Sequence, residues 1–270
     1  QRRGRGRRAG AHVPQRNRGG GAHREARVAA AAGARVAKHG NRGATSNSGS
    51  ADVLEAAGVT LGSSPEQVAQ AIEQVGVGFM FAPAHHSAMK HVITARKEIG
   101  VRTVFNLLGP LTNPASAPNQ LMGVFDPDWI PVLLEVLKDL GSNHVMIVAA
   151  DDGLDEISIA SATQVGELKD GEISVYSVAP SDFGIEQYSD YNMLQIADAQ
   201  ESLGMLKQAL TGKHQAAADI VALNAGAAIY VANLSDDLAA GIDRAREIID
   251  SGAALDKLEQ LVQFTQAADG

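Results

Sequence analysis

The chain has 270 residues, enough for one large domain or two modest ones with a buried core. Its hydrophobic content of 45% is that of an ordinary globular protein, and no apolar stretch reaches the length that spans a bilayer. The lack of cysteine excludes disulfides and thiolate metal sites, and residues 1–27 contain no apolar segment like that of a signal peptide. These features predict a cytoplasmic protein with no membrane partner.

The formal net charge of −8 combines a basic start with an acidic body. Residues 1–27 contain nine arginines and one acidic residue, Glu25, so the rest of the chain has 14 Lys and Arg against 30 Asp and Glu, a net charge of −16. An acidic body disfavours binding to a nucleic-acid backbone. The Arg/Gly-rich start is expected to be disordered, and it has no aromatic residue to stack on bases. Nucleic acid is therefore not the expected partner.

As far as residue 150, the predicted elements alternate between short apolar strands and helices. The strands are predicted at 28–37, 77–81, 101–108, 121–125 and 144–150, and the helices at 51–57, 64–74, 85–99 and 131–140. This alternation is typical of an α/β fold with a largely parallel, buried sheet flanked by helices.

After residue 151 the pattern changes. Short strands are predicted at 157–160, 164–168 and 173–178, with a hairpin turn at 169–172. The last third is predicted to be helical, at 199–210, 214–232, 238–249 and 255–265. Gly226, inside the second of these helices, is compatible with a helix if another helix packs close to it.

The loop after the first predicted strand has the composition of an anion site. It contains two cations, Lys38 and Arg42, with glycines and four hydroxyl residues, and a short helix follows it. Backbone N–H groups, hydroxyls and a helix N-terminus together are suited to bind a phosphate. The alternative is a solvated turn that only caps the helix. The density of cations and hydroxyls favours a phosphate ligand.

Four carboxylates fall within residues 151–156, directly after an apolar strand. Ligands of open α/β sheets gather at the C-terminal ends of strands, and carboxylate oxygens suit Mg²⁺. Alone, this segment is more typical of a plain acidic turn. Opposite an anion-binding loop, a magnesium ion that bridges to a polyphosphate is the better interpretation.

Three further segments contain polar candidates with weaker signals. His85 and His86 are adjacent and cannot face one metal from a helix, which disfavours a zinc site. Arg96 has the geometry to bind a carboxylate bidentately, although an arginine in the last turn of a helix usually only compensates its dipole. The turn-rich segment 103–114 offers Asn106, Thr112 and Asn113 as possible pocket residues.

Several motifs together resemble one enzyme family. They are Val36-Ala-Lys-His-Gly-Asn-Arg42, Ser48-Gly-Ser-Ala-Asp-Val-Leu-Glu-Ala56, Phe81-Ala-Pro-Ala-His-His-Ser-Ala-Met-Lys90, Arg102-Thr-Val-Phe-Asn-Leu-Leu-Gly-Pro-Leu-Thr-Asn-Pro114, Gly153-Leu-Asp-Glu-Ile-Ser158 and Leu223-Asn-Ala-Gly-Ala227. In order and spacing they closely resemble the anthranilate phosphoribosyltransferases, which have a nucleoside-phosphorylase-like fold. The resemblance covers roughly residues 28–265.

The resemblance implies the transfer of a phosphoribosyl group from 5-phosphoribosyl 1-pyrophosphate (PRPP) to anthranilate in tryptophan biosynthesis, by a homodimer that uses Mg²⁺. It implies a PRPP site formed by Lys38, His39, Gly40, Asn41, Arg42, Gly43, Ala44, Thr45, Ser46 and Ser50. It implies anthranilate contacts from Asn41, Arg96, His39 and His86, and magnesium ligation by Asp155 and Glu156. No general base is assigned.

The resemblance fails before Val28. The family has a Gly-Thr-Gly-Gly-Asp loop and an Asn-x-Ser-Thr segment that would fall at about residues 11–24, where this chain has an Arg/Gly-rich sequence. The family's small N-terminal helical domain is expected to be largely absent. We therefore expect residues 1–27 to be a non-family segment, from a shifted reading frame or a fusion, ahead of a catalytic domain at 28–270. We also expect impaired activity, because the pyrophosphate-gripping loop is missing.

Two other functions are compatible with parts of the sequence. A pyrimidine-nucleoside phosphorylase shares the fold, but residues 102–114 and 153–158 match the first family better. A non-catalytic nucleic-acid-binding relative is suggested only by the Arg-rich start.

Overall fold

The structure is a computed structural model that describes residues 22–42, 49–85 and 111–267. It begins with helix α1 (Ala22–Ala31), strand β1 (Val36–Gly40) and helix α2 (Ser50–Ala56). The prediction of a strand from residue 28 was wrong, because Val28 and the alanines after it form the end of α1. Alanine has the highest helix propensity, and Gly33, at φ 107°, follows the end of the helix. The boundary expected at Val28 therefore falls inside a helix.

The next elements follow the prediction closely. Helix α3 (Pro65–Gln74) begins with a capping box, in which the Gln67 amide donates to Ser64 Oγ and the Ser64 amide donates to Gln67 Oε1 at 2.7 Å. Strand β2 (Val77–Phe81) pairs with β1 in parallel, and the short helix α4 (Ala82–His85) follows. The helix predicted at 85–99 lies outside the described residues after its first residue, and so does all of the strand predicted at 101–108.

A four-stranded sheet forms the second β unit, with helix α5 (Trp129–Asp139) packed on it. Its strands, in spatial order, are β3 (Asn119–Gly123), β4 (His144–Ala150), β5 (Thr163–Lys169) and β6 (Glu172–Val178). β3 pairs with β4 in parallel, whereas β4–β5 and β5–β6 are antiparallel. Two of the strand pairings within the described ranges are thus parallel and two are antiparallel, whereas the sequence pattern predicted mostly parallel ones.

Two local predictions in this region had opposite outcomes. The hairpin turn between β5 and β6 is confirmed, with Asp170 at φ 53° and Gly171 at φ 81°. The strand predicted at 157–160 is wrong, because these residues turn back on themselves. Ser158 Oγ donates to Asp152 at 2.6 Å and also accepts from the Ala160 amide, which replaces the ladder bonds of a strand.

The C-terminal third is helical, as predicted. It contains α6 (Ala199–Ala209), α7 (Gln215–Val231), α8 (Leu238–Ser251) and α9 (Ala253–Ala267). Helix α7 is buried along almost its whole length and packs on both α1 and α8. A Cβ atom on Gly226 would lie 2.5 Å from Ile242 Cα, so another helix does pack close to this glycine, the condition under which a helix was expected to tolerate it. Among the described residues, no helix has the length and apolar character needed to cross a membrane.

Candidate active site

The end of β1 carries the first group of predicted site residues. Lys38 and His39 are half-buried and lie opposite Phe79 and Met80 of β2. A Cβ atom on Gly40 would lie 2.8 Å from the Phe79 ring and would overlap Ser50 Oγ. Glycine is therefore required at this position for the start of α2 to approach the end of β1.

Asn41 and Arg42 join the end of β1 to α2. The Asn41 carbonyl accepts from the Ala51 amide at 3.3 Å and from Ser50 Oγ at 3.4 Å. The Arg42 guanidinium donates to Glu55 through two nitrogens, at 2.6 and 2.9 Å, and to Asp52 at 3.1 Å. The hydrogen bond to Glu55 holds the pKa of Arg42 above its ordinary value. Arg42 thus contacts α2.

The acidic segment after β4 folds into a tight loop. Asp152 organises it, because its carboxylate accepts from the Leu154 amide at 3.0 Å and from Ser158 Oγ at 2.6 Å. Gly123 ends β3 directly against the backbone of Asp155, where a Cβ atom would overlap the carbonyl oxygen. This close approach fixes Asp155 at the C-terminal ends of β3 and β4, where its side chain is exposed.

Helix α7 holds the other end of the same loop. The buried Asn224 side chain accepts from the Ile157 amide at 2.7 Å and donates to the Ile157 carbonyl at 2.9 Å. These two bonds satisfy both backbone groups of Ile157 and fix the main chain directly after Glu156. Asn224 therefore helps to hold the backbone that carries Asp155 and Glu156 in place.

The two groups of residues lie close enough to interact electrostatically. Burial lowers the pKa of the Lys38 ammonium, and the carboxylates of Glu25, Glu156 and Asp155 oppose that fall. Burial also raises the pKa of the Glu25 carboxyl well above its usual value, in the same direction as the repulsion from Glu156. Arg24 and Glu25, both from α1, complete this cluster of charges. The arrangement combines a lysine cation on β1 with carboxylates from two other segments of the chain, α1 and the acidic loop.

The structure thus brings together the lysine and the acidic residues that the sequence predicts to be parts of one site. Asn113 is close to them, since its side chain donates to the Ala37 carbonyl at 3.3 Å. Seven candidate residues lie outside the described residues: Gly43, Ala44, Thr45, Ser46, His86, Arg96 and Asn106.

Sequence reasoning missed Glu25 and Asn224. Glu25 lies in a segment whose composition indicated disorder, and no periodic pattern marked it as part of a buried helix. Asn224 belongs to a motif of the resemblance, but only the packing of α7 against the acidic loop reveals its role.

The donor chemistry of Asp155 and Glu156 fits Mg²⁺. The residues that the structure describes contain no cluster of three or more His, Asp or Glu side chains placed for a metal. Magnesium usually keeps several waters and binds through one or two carboxylates together with substrate phosphates. At a magnesium site formed by Asp155 and Glu156, water and substrate oxygens would therefore supply the remaining ligands of the metal.

Comparison with known proteins identifies the family. A model of the glycosyl transferase family, α/β domain, matches residues 22–255, and so extends upstream of Val28. The chain is 61% identical over 238 residues to an anthranilate phosphoribosyltransferase of Thioalkalivibrio sulfidiphilus, with 88% of this chain and 70% of the relative covered. It is 58% identical over 239 residues to that of Cupriavidus necator, with the same two shares. The chain belongs to the anthranilate phosphoribosyltransferase family.

Experimental structures of the family have the same fold. The anthranilate phosphoribosyltransferase from Thermus thermophilus superposes with a TM-score of 0.86 at 41% identity, covering 94% of this chain and 75% of that one. The Saccharomyces cerevisiae enzyme in complex with PRPP and Mg superposes with a TM-score of 0.84 at 28% identity, covering 93% and 71%. The α/β phosphoribosyltransferase-like fold predicted from the sequence is confirmed.

Proposed function

We propose that this chain transfers the phosphoribosyl group of PRPP to the amine of anthranilate, giving N-(5-phosphoribosyl)anthranilate and pyrophosphate. The observation that carries the proposal is the proximity of Lys38 to Asp155 and Glu156 in a chain of this family. A cation and a carboxylate pair at one site suit a substrate with a pyrophosphate group and a bound divalent metal. The phosphorylase and nucleic-acid-binding readings are not favoured.

The proposed site is divided between the two substrates. PRPP is held by the segment from Lys38 to Ser46 and by Ser50. Anthranilate is contacted by Asn41 and Arg96, with His39 and His86 beside it. These roles rest on the family motifs, and the contacts of Gly40 and Asn41 with Ser50 support them by placing three of the proposed residues side by side.

Asp155 and Glu156 are the proposed ligands of Mg²⁺. A yeast relative is described in complex with PRPP and Mg. When bound, the metal would neutralise charge on the leaving pyrophosphate. Asp152 does not compete for it, because its carboxylate oxygens accept hydrogen bonds from Leu154 and Ser158.

The reaction places modest demands on the protein. The aryl amine is already neutral near pH 7, so its nitrogen forms the bond to C1 of the ribose as the bond from C1 to the pyrophosphate oxygen breaks. The amine then releases a proton to solvent, and no side chain is assigned as its base. The protein contributes by aligning the amine with the breaking bond and by placing the Lys38 cation near the departing charge.

A fluorescence assay that follows anthranilate consumption with PRPP and Mg²⁺ tests the function. We expect slow turnover by the wild-type chain, because an Arg/Gly-rich sequence replaces the family's glycine-rich loop. We expect a further fall of at least about 100-fold in Asp155→Ala, because a ligand of the charge-neutralising metal is lost. Asp139→Ala is the matched control, since it removes an exposed carboxylate at the end of α5. No turnover by the wild-type chain, or equal rates in the two variants, would contradict the proposal.

The oligomeric state and the cellular location belong to the same proposal. The chain is proposed to act as a homodimer, which size-exclusion chromatography with light scattering measures. A cytoplasmic location is proposed because the reaction is a biosynthetic step between small, charged metabolites.

A further inference from the structure

Arg42 has the charge to bind a phosphate, but its guanidinium contacts other groups. It makes a bidentate pair with Glu55 and a third bond to Asp52, and it lies 5.7 Å from the centre of the Phe81 ring. Arg42, Asp52 and Glu55 together carry a net charge of −1. A phosphate that approached the guanidinium would therefore meet an anionic group and would have to displace a carboxylate.

The same contacts hold the two ends of the substrate segment together. Asp52 accepts from Arg42 through Oδ1 and from the Gly49 amide through Oδ2 at 2.8 Å. Arg42 directly follows Asn41, whose side chain accepts from the Arg42 amide at 2.8 Å and whose carbonyl accepts from Ser50 Oγ. Breaking the ion pairs would thus release Asn41 and Ser50, the residues proposed to contact anthranilate and PRPP.

We propose that Arg42 is a positioning residue, which acts through Glu55 and Asp52 to fix Asn41 and Ser50 and does not bind the phosphate of PRPP. This inference rests on the proposed function for its kinetic consequence, and for Arg42 alone it replaces the direct contact with PRPP that the family motif implies. The clamp of Arg42, Asp52 and Glu55 itself rests on the described contacts alone.

Glu55→Ala separates the clamp from a direct phosphate contact because the two predict opposite signs. A phosphate-binding Arg42 would be freed in this variant, and one negative charge near the substrate would be gone, so the KM for PRPP would fall. A clamp would be broken, so the KM for both PRPP and anthranilate would rise. We expect the rise, with a loss of about tenfold in kcat/KM, since small displacements of positioning groups have effects of this size or larger.

Exchanging the charges of Arg42 and Glu55 tests whether activity can be restored. Arg42→Glu alone should lose activity, and the double variant Arg42→Glu/Glu55→Arg should recover to within about threefold of wild type, because the ion pair is rebuilt in the opposite direction. Glu73→Ala, which removes an exposed carboxylate from α3, is the control with unchanged kinetics. A lower KM for PRPP in Glu55→Ala, or a double variant as poor as Arg42→Glu, overturns the proposal.

Hydrogen exchange gives a second measurement that needs no turnover. The Ala51 amide donates to the Asn41 carbonyl, so its exchange should accelerate in Glu55→Ala and remain at the wild-type rate in Glu73→Ala. Unchanged protection of Ala51 in Glu55→Ala refutes the clamp. An inactive wild-type chain with accelerated exchange in Glu55→Ala would refute the proposed function and leave the clamp in place.

Discussion

Two arginines of α1 are buried, Arg24 beside the charge cluster of the site and Arg27 beside the apolar residues that end the helix. Arg24 and Arg27 are each 2% exposed, and the next residue, Val28, is fully buried. Arg24 Nε and Nη2 have no hydrogen-bond partner among the described residues. Taking a guanidinium out of water costs free energy, even where some of its nitrogens are paired. These side chains are therefore a local weakness of the fold.

Arg27 gives a direct test of that weakness. Burial lowers its pKa from the ordinary value of an arginine to about 10, and a shift of this size corresponds to about 3 kcal/mol of unfavourable charge burial. Because the folded pKa is depressed, the full cost is present at pH 7 and is relieved only as the pH rises through about 10 and above. We expect Arg27→Met, which keeps an unbranched side chain, to raise the free energy of unfolding by about 1–3 kcal/mol at pH 7.

Urea unfolding at pH 7 measures this change. Arg35→Met is the matched control, since Arg35 is exposed and its replacement should leave stability within about 0.5 kcal/mol. A less stable Arg27→Met variant would show that the guanidinium contributes favourable contacts that outweigh its burial.

At the scale of elements, the apolar run of alanines after Val28 is where the sequence does not distinguish a strand from a helix. A continuous apolar run is compatible with a buried strand or with a helix that is buried on all sides. Val28, Ala29 and Ala30 are all buried, so this part of α1 has no polar residue that would have revealed a helical period. Ser64, in contrast, carries a local signal, because its capping box specifies the start of α3 regardless of tertiary packing.

The contact between α7 and α8 is an element-scale feature with a sharp prediction. A Cβ atom on Gly226 would lie within 2.6 Å of both the backbone nitrogen and the Cα of Ile242, so the two helices would have to separate. We expect Gly226→Ala to destabilise the fold by about 1–3 kcal/mol through overpacking, despite the better helix propensity of alanine. Thermal or urea unfolding measures the change.

Gly204 provides the matched control, because it also lies within a helix but has open space around a built Cβ atom. Gly204→Ala should raise stability by about 0.5–1 kcal/mol from propensity alone. Equal effects of the two substitutions would mean that α7 and α8 have room to move apart.

At the scale of the whole molecule, the site depends on residues far apart in sequence. The sequence predicts the Lys38 loop and the Asp155–Glu156 pair separately, because each accompanies an apolar strand and ligands gather where strands end. Composition and periodicity do not show how the segments meet. Their meeting depends on α1, which brings Glu25 to Lys38, and on Asn224 of α7, which fixes the loop after Glu156.

Ligand binding should therefore stabilise the whole fold, because the substrate and metal would link segments that only the folded chain brings together. PRPP with Mg²⁺ at about 100 times its dissociation constant adds about 2.7 kcal/mol. For a chain of this size that raises Tm by roughly 5–10 °C.

Differential scanning fluorimetry with PRPP and Mg²⁺, with PRPP and EDTA, and with Mg²⁺ alone measures this rise in Tm. We expect the full shift only with both ligands, and its loss in Asp155→Ala/Glu156→Ala but not in Asp139→Ala. An equal shift in EDTA would show that PRPP binds without the carboxylate pair and its metal, and would remove Asp155 and Glu156 from the site.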